Sequence, residues 1–525
     1  MKIVKHGLIT LALAAVTPAL ASVDAATSAQ QYGSYVILGQ TPAGENVAIA
    51  RTVIQSNLTC PTVSAINNGS GNSTTPQNMI TRDNPTQFPV MVCEALIGFD
   101  TAYQLNFADK AIALAVAKSN PQNIQVFGDT GCKTEDCALG DPAEPFKSLA
   151  DSGAEAKPDL VLHMGDYNYR GTGGQIALTM KNAKGELAQT PQWTYDAGDS
   201  LTASDHCGQQ AGGPFYSQSA VNANRPDSWQ YWLNDLFMSS GELMAAAPRI
   251  VSRGNHELCS RAGPGYFYFL DPNSNLVKGQ QQMSCPAVQV NKGAMANSVQ
   301  VPNYIVQFKQ LNVAVIDSAN ACDAFTGTAF DKVYKNVFAD LNAKVKPLKQ
   351  PTWVITHRPI WGVEALDGDK STPCSPNSPY SCINQMMQKA IAAQPGKALN
   401  KGIKLVLTGH MHKFESVSFK QGSHPPNIIV GSSGVELAGN APSPTANVTI
   451  ENLAASVLTT NTQVTKNGET FDAYGYFQMK LGTNGSWQGQ LVNPANKLTL
   501  ATCSSKRNLA QGVCELAPGI GVVAD

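Results

Sequence analysis

Five short apolar runs, each ending in a polar turn, constrain the fold of this chain more than any other feature. Ile124-Gln-Val-Phe127 runs into Gly128-Asp129-Thr130-Gly131, and Leu160-Val-Leu162 runs into Gly165-Asp166. Ile250-Val251 precedes Gly254-Asn255-His256-Glu257, and Trp353-Val-Ile355 precedes His357. Leu405-Val-Leu407 leads to Gly409-His410-Met411-His412. Runs of this length without polar alternation are the pattern of strands buried on both faces. Helical spacing over Phe330 to Lys346, stopped by Pro347, places a helix between two of them. The expectation is an α/β fold whose strands deliver polar side chains to one sheet edge, where sites form in such folds.

The residues delivered there are oxygen and nitrogen ligands. Asp129, Asp166, Asn255, His357, His410 and His412 include no thiolate. This set suits first-row divalent or trivalent metals and disfavours a cysteine–zinc site. It is too large for one ion and suits two, with a carboxylate bridging ions roughly 3.5–4 Å apart. Such a pair can hold the attacking and leaving oxygens of an in-line displacement at phosphorus.

Read in order, Asp-x-Gly, Gly-Asp-x-x-Tyr, Gly-Asn-His-Glu, Val-x-x-His and Gly-His-x-His resemble the blocks of the calcineurin-like metallophosphoesterases. Tyr169, three residues after Asp166, is similar to the tyrosine that marks the purple acid phosphatases within that superfamily. The resemblance runs from Ile124 to Gly434; the region before it matches larger members by position and character only. It implies a four-layer α/β/β/α sandwich with an N-terminal β-rich domain. It also implies two metal ions, Fe(III) and a divalent Fe, Zn or Mn. Asp129, Tyr169 and His412 would bind the first, Asn255, His357 and His410 the second, and Asp166 would bridge them. His256 would contact substrate beside Asn255 and protonate the leaving oxygen. A tyrosinate offsets the extra charge of a trivalent ion, and in the family it gives the colour. The implied reaction is phosphomonoester hydrolysis by direct attack of metal-bound hydroxide, with an acidic optimum.

The chain departs from plant-type members in lacking histidines between His357 and His410. Substrate contacts are therefore sought in Arg358, His206 and Lys413. Glu257 is expected to position its loop, and His163 to be a satisfied core histidine. His206 and His424 lie in loops and are expected to face solvent. The alternative is a divalent-metal phosphodiesterase, or a nucleotide or phospholipid head-group hydrolase, on the same core. A fold of this type that has lost activity is disfavoured by the complete ligand set.

The 525 residues exceed one small core, and near-equal Lys+Arg (37) and Asp+Glu (38) argue against a nucleic-acid scaffold or a polybasic membrane binder. Lys2 and Lys5, the apolar run Gly7 to Val16 and Ala19-Leu20-Ala21 read as a secretory signal over 1–21. Secretion or periplasmic export follows, with a phosphate ester as partner and no membrane span after cleavage. Twelve cysteines fit an oxidising compartment. Cys132/Cys137, Cys374/Cys382 and Cys503/Cys514 are spaced to close short loops, and Cys60 with Cys93 to staple the N-terminal region. The pairing of Cys207, Cys259, Cys285 and Cys322 stays open. The expected organisation is a β-rich domain over 26–118 and a catalytic domain over 119–525. The latter carries an insertion near 171–227 and a disulfide-stapled tail. Sequence does not set the oligomeric state.

Overall fold

The computed structural model describes residues 25–66, 75–85, 88–132, 145–169, 179–181, 187–189, 215–216, 227–259, 262–285, 299–321, 323, 330–365, 373–375, 378–439 and 445–523. The signal segment, His206, Cys207 and Cys322 lie outside them. Two large sheets dominate. In the first, Asn123–Phe127, Leu160–His163 and Arg249–Val251 run parallel as neighbours. In the second, Asn312–Val315, Thr352–Ile355, Ile403–Thr408 and Asn427–Val430 do the same. These strands show almost unbroken burial because both faces are covered.

The two sheets pack face to face. Ile124, Val126, Leu162 and Ile250 of the first share one core with Val313, Trp353, Ile355, Leu405 and Leu407 of the second. Successive side chains on a strand point to opposite faces, so Val354 enters a second core under the helix Phe330–Val345. That helix buries Phe330, Tyr334, Val337, Phe338, Leu341 and Val345 in one stripe, an amphipathic spacing. On the far side, Phe127 and Val161 pack on the helices Phe146–Glu155 and Ser239–Ala246. The layers are helix, sheet, sheet, helix, as the motif resemblance implies.

The chain ends complete the first sheet. Gln31–Gln40 pairs in parallel with Arg249–Val251, and Asn46–Gln55 and Val90–Ile97 follow antiparallel. Ile80–Thr81 pairs with Val90–Ile97 at the edge of that sheet, and the other strands of the 26–118 region, Thr62–Ala65, Gln77–Asn78, Tyr103–Asn106 and Ala111–Ala113, form their own four-stranded sheet. A buried cluster ties this region to the rest. Glu94 accepts from Arg51 Nε at 3.1 Å and Arg82 Nη1 at 2.7 Å. The same arginines reach the carbonyls of Phe267, Tyr268, Phe269 and Asp271. On the opposite flank, Tyr476–Leu481 lies antiparallel to Asn123–Phe127, and Trp487–Asn493, Leu498–Ser504 and Cys514–Leu516 extend it outward. The expected tail is thus largely sheet. Of the 171–227 insertion, three short strands, Thr179–Lys181, Leu187–Gln189 and Phe215–Tyr216, are described, and they pair with one another.

Disulfides join Cys60–Cys93, Cys259–Cys285, Cys374–Cys382 and Cys503–Cys514. Cys132 is also disulfide-bonded, and Cys137 lies outside the described residues. Among the described residues no helix is long and apolar enough to cross a membrane. One expectation needs correction. His424 does not face solvent: it is 8 % exposed, stacked on the Trp361 ring at 4.6 Å and within 3.4 Å of Glu451. Its loop folds back onto aromatic surface supplied from elsewhere in the chain.

Candidate metal centre

The parallel strands of both sheets end at one edge, and the candidate ligands collect there. Asp129, Asp166 and Asn255 follow strands of the first sheet, and His357, His410 and His412 follow strands of the second. Oxygen donors come from one layer and imidazoles from the other, so the site exists only once the sandwich has packed.

The turns that carry them are sharp. Asp129, Asp166, His410 and His412 have φ of 58°, 55°, 78° and 47°, the left-handed region that few non-glycine residues occupy. Such backbone states gather where surrounding structure enforces them, often at functional sites. Two neighbouring glycines are required by close approach. A Cβ on Gly254 would collide with Asp166 Oδ1, and one on Gly409 would collide with Asp129 Oδ2.

Two groups of ligand atoms lie within 4.8 Å of one another: Asp166, His357 and His410, and Asp129, Asp166 and His412. Asp166 belongs to both. Tyr169 Oη joins the second group, at 2.9 Å from Asp129 Oδ1, 3.0 Å from Asp166 Oδ2 and 3.1 Å from His412 Nε2. Asn255 Oδ1 joins the first, at 2.8 Å from His357 Nε2, which is also 3.2 Å from Asp166 Oδ2. His357 Nδ1 lies 2.9 Å from the Met164 carbonyl, which accepts its proton and directs Nε2 to the site.

The proton inventory fits cations. Tyr169 Oη has one proton for two carboxylates. His357 Nε2, once Nδ1 carries the proton, has none for the two oxygens it faces. Electrostatics agree. Burial, then the neighbouring Asp166, pushes the Asp129 carboxyl well above the usual carboxylate range. Burial, then Asp129 and Asp166, pushes the Tyr169 phenol well above its ordinary value. Asp166 goes the other way: burial opposes its charge, but His357 and then His256 hold its carboxyl well below the usual range. The cost of negative charge therefore falls on Asp129 and Tyr169, where positive ions would relieve it. The residues therefore suit two ions sharing Asp166.

His256 adjoins this set. Its backbone N–H donates to Asp166 Oδ1 at 2.9 Å, and its ring lies 4.1 Å from the Tyr169 ring. Glu257 positions the loop opposite. It accepts from the backbone N–H of Gly254, Asp166, Tyr167 and Asn168, at 2.9, 2.9, 2.8 and 3.3 Å. Burial and Asp166 push its carboxyl up to about 8, yet four donors aimed at its oxygens are the setting of a carboxylate. A cation beside Asp166 removes that opposition. His163 is buried, 3.0 Å from Thr130 Oγ1 and stacked on Tyr167.

Two candidate substrate contacts are held by other side chains. Lys413 donates to the Val363 carbonyl and pairs with Glu415, at 2 % exposure. Arg358 is buried with its guanidinium on Asp323. Asp323 is the residue the sequence reading missed. Its carboxyl is held well below the usual range: burial opposes this, but Arg358 and then His410 outweigh it. The available signal was a sixth strand of the same kind, Val313-Ala-Val-Ile316 running into Asp317, with Asp323 just beyond.

The family model for calcineurin-like phosphoesterases matches residues 123–414, more than half of the chain. Curated proteins give no significant match. Solved structures that match include a purple acid phosphatase from seeds of yellow lupin (Lupinus luteus). It has 14% identity and a TM-score of 0.46, over 89% of this chain and 72% of that one. The chain belongs to the calcineurin-like phosphoesterase family and is a metal-dependent phosphoric ester hydrolase.

Proposed function

We propose that this enzyme is an exported phosphomonoesterase of the purple acid phosphatase type. Fe(III) would be held by Asp129, Tyr169 and His412, a divalent Fe, Zn or Mn by Asn255, His357 and His410, with Asp166 shared. The observation that carries the reading is the position of Tyr169 Oη among Asp129, Asp166 and His412. A phenolate there offsets the third charge of ferric iron, which favours Fe(III) over Fe(II).

When bound, the ions would supply Lewis acidity for the phosphoryl oxygens and lower the pKa of water. The chain supplies the rest. Asp166, fixed by the N–H of His256 and by Glu257 on its own N–H, holds the two ligand groups in register. His256 stands beside the Tyr169 ring at the site, the place for a general acid toward the leaving alcohol oxygen. Arg358 is withdrawn onto Asp323, and His206 lies outside the described residues, so His256 and Asn255 are the leading substrate contacts. The N-terminal segment that reads as an export signal and the disulfides support an extracellular or periplasmic location.

Parallel rates on p-nitrophenyl phosphate and bis-p-nitrophenyl phosphate, between pH 4 and 9, test the reading. A monoester preference with an acidic optimum is expected. A diester preference with a neutral or alkaline optimum would move the enzyme to the phosphodiesterase alternative.

A further inference from the structure

His410 reaches the site from a left-handed turn, and the far side of its ring meets two charged groups outside the motif blocks named above. His410 Nε2 lies 3.0 Å from Asp323 Oδ2 and 3.0 Å from Arg358 Nη1. Arg358 Nη1 also donates to Asp323 Oδ2. The other carboxylate oxygen, Oδ1, accepts from Asn384 Nδ2 at 2.9 Å, and the Asp323 carbonyl accepts from Gln385 N at 2.9 Å. Asn384 in turn caps the helix Gln385–Ala392 through the N–H of Met387. Asp323 is therefore clamped from three sides, its carboxylate aimed at one imidazole nitrogen. Arg358 Nη1 donates to that same oxygen and not to the ring, because a donor-only guanidinium has no bond to make with an Nε2 that carries a proton.

We propose that Asp323 is a positioning residue for the metal centre. It accepts the proton of His410 Nε2, fixes that tautomer and ring angle, and leaves Nδ1 as the metal-binding lone pair. Arg358, counted at first among substrate contacts, belongs to this clamp and acts through it. Carboxylates in this relation to a ligating histidine raise its basicity and fix its orientation, and losing one costs roughly 10–100-fold in metal affinity. The inference rests on His410 being a metal ligand, as the proposed function has it.

The test is zinc titration of the metal-free full chain by calorimetry, for wild type and for Asp323→Asn, Asp323→Glu and His410→Ala. Wild type is expected to bind two ions and His410→Ala to weaken or lose one. Asp323→Asn should weaken one ion roughly 10–100-fold and leave the other unchanged, and Asp323→Glu should recover part of the loss. Failure of wild type to bind two ions, or His410→Ala binding as wild type does, would overturn the reading of the site itself. Intact binding by Asp323→Asn alongside a defective His410→Ala would overturn the clamp. Should Asp323→Asn not fold, histidine nitrogen resonances of the zinc-loaded wild type decide. A protonated Nε2 on His410 is expected, and a protonated Nδ1 contradicts the proposal.

Discussion

Glu257→Gln is a sharp test of how the centre is held. Both carboxylate oxygens of Glu257 are used: Oε2 by the N–H of Gly254 and Asp166, Oε1 by the N–H of Tyr167 and Asn168. An amide keeps one acceptor oxygen and turns an NH₂ group toward the other two donors. Two buried N–H groups then lose their acceptor, each at about 1–3 kcal/mol, giving about 2–6 kcal/mol in all. The cost falls locally on the Asp166 turn, because all four donors lie in the two loops that Glu257 joins. Amide exchange of the peptide spanning residues 164–169, followed by mass spectrometry on the zinc-loaded protein, in which Glu257 is a carboxylate, reads it directly. Protection there should fall by a factor of about 30 to about 25,000, the equivalent of that range, while the helix Phe330–Val345 keeps its own. Unchanged protection over 164–169 would refute the claim that these four bonds hold the Asp166 turn.

The remaining predictions concern the ions, pH and the N-terminal strands. Asp166→Asn should remove both ions, whereas His412→Ala should remove one, as counted by elemental analysis after dialysis, because Asp166 alone belongs to both ligand groups. Metal affinity should fall with falling pH and uptake should release protons. Asp129 and Tyr169 have raised pKa values without metal, so they hold protons that binding must displace; calorimetry in two buffers of different ionisation enthalpy measures the release. In the metal-free protein the raised Glu257 carboxyl contributes stability below its unfolded value of about 4.5, lost as pH rises towards about 8. Melting temperature against pH should show that decline, and zinc should suppress it. Glu94→Gln should cost about 3–5 kcal/mol by leaving Arg51 and Arg82 without their buried partner. It should lower the melting temperature and leave kcat unchanged.

The ligand strands were legible because each pairs a local signal with a local cause. An apolar run predicts a buried strand, and a glycine-bearing turn beside Asp or His marks where it delivers a ligand. What sequence could not carry was which strands become neighbours. Gln31–Gln40 is readable as a strand, but its parallel pairing with Arg249–Val251 depends on contacts 212 residues apart between Ile37 and Arg249. The C-terminal strands likewise read as a stapled tail because nothing local announces Asn123–Phe127 as their partner. Asp323 and His424 were missed for the same reason. Each lies in a loop whose local sequence resembles any surface loop, and each is held by side chains from other elements, Arg358 and Asn384 for one, Trp361 and Phe419 for the other. Glu257 was read as a loop-positioning group from its place beside the ligand turn, and it is one.

Tyr169 as a ligand to ferric iron is what sets the proposed chemistry apart. The most direct measurement is the visible absorption spectrum of the purified protein and of Tyr169→Phe, with elemental analysis of both samples. Two ions per chain, one of them iron, and a pink-to-purple band that Tyr169→Phe abolishes are the predicted result. An active, metal-loaded wild type that stays colourless after mild oxidation would contradict it, and would leave a divalent-metal phosphoesterase with Tyr169 outside the ligand set.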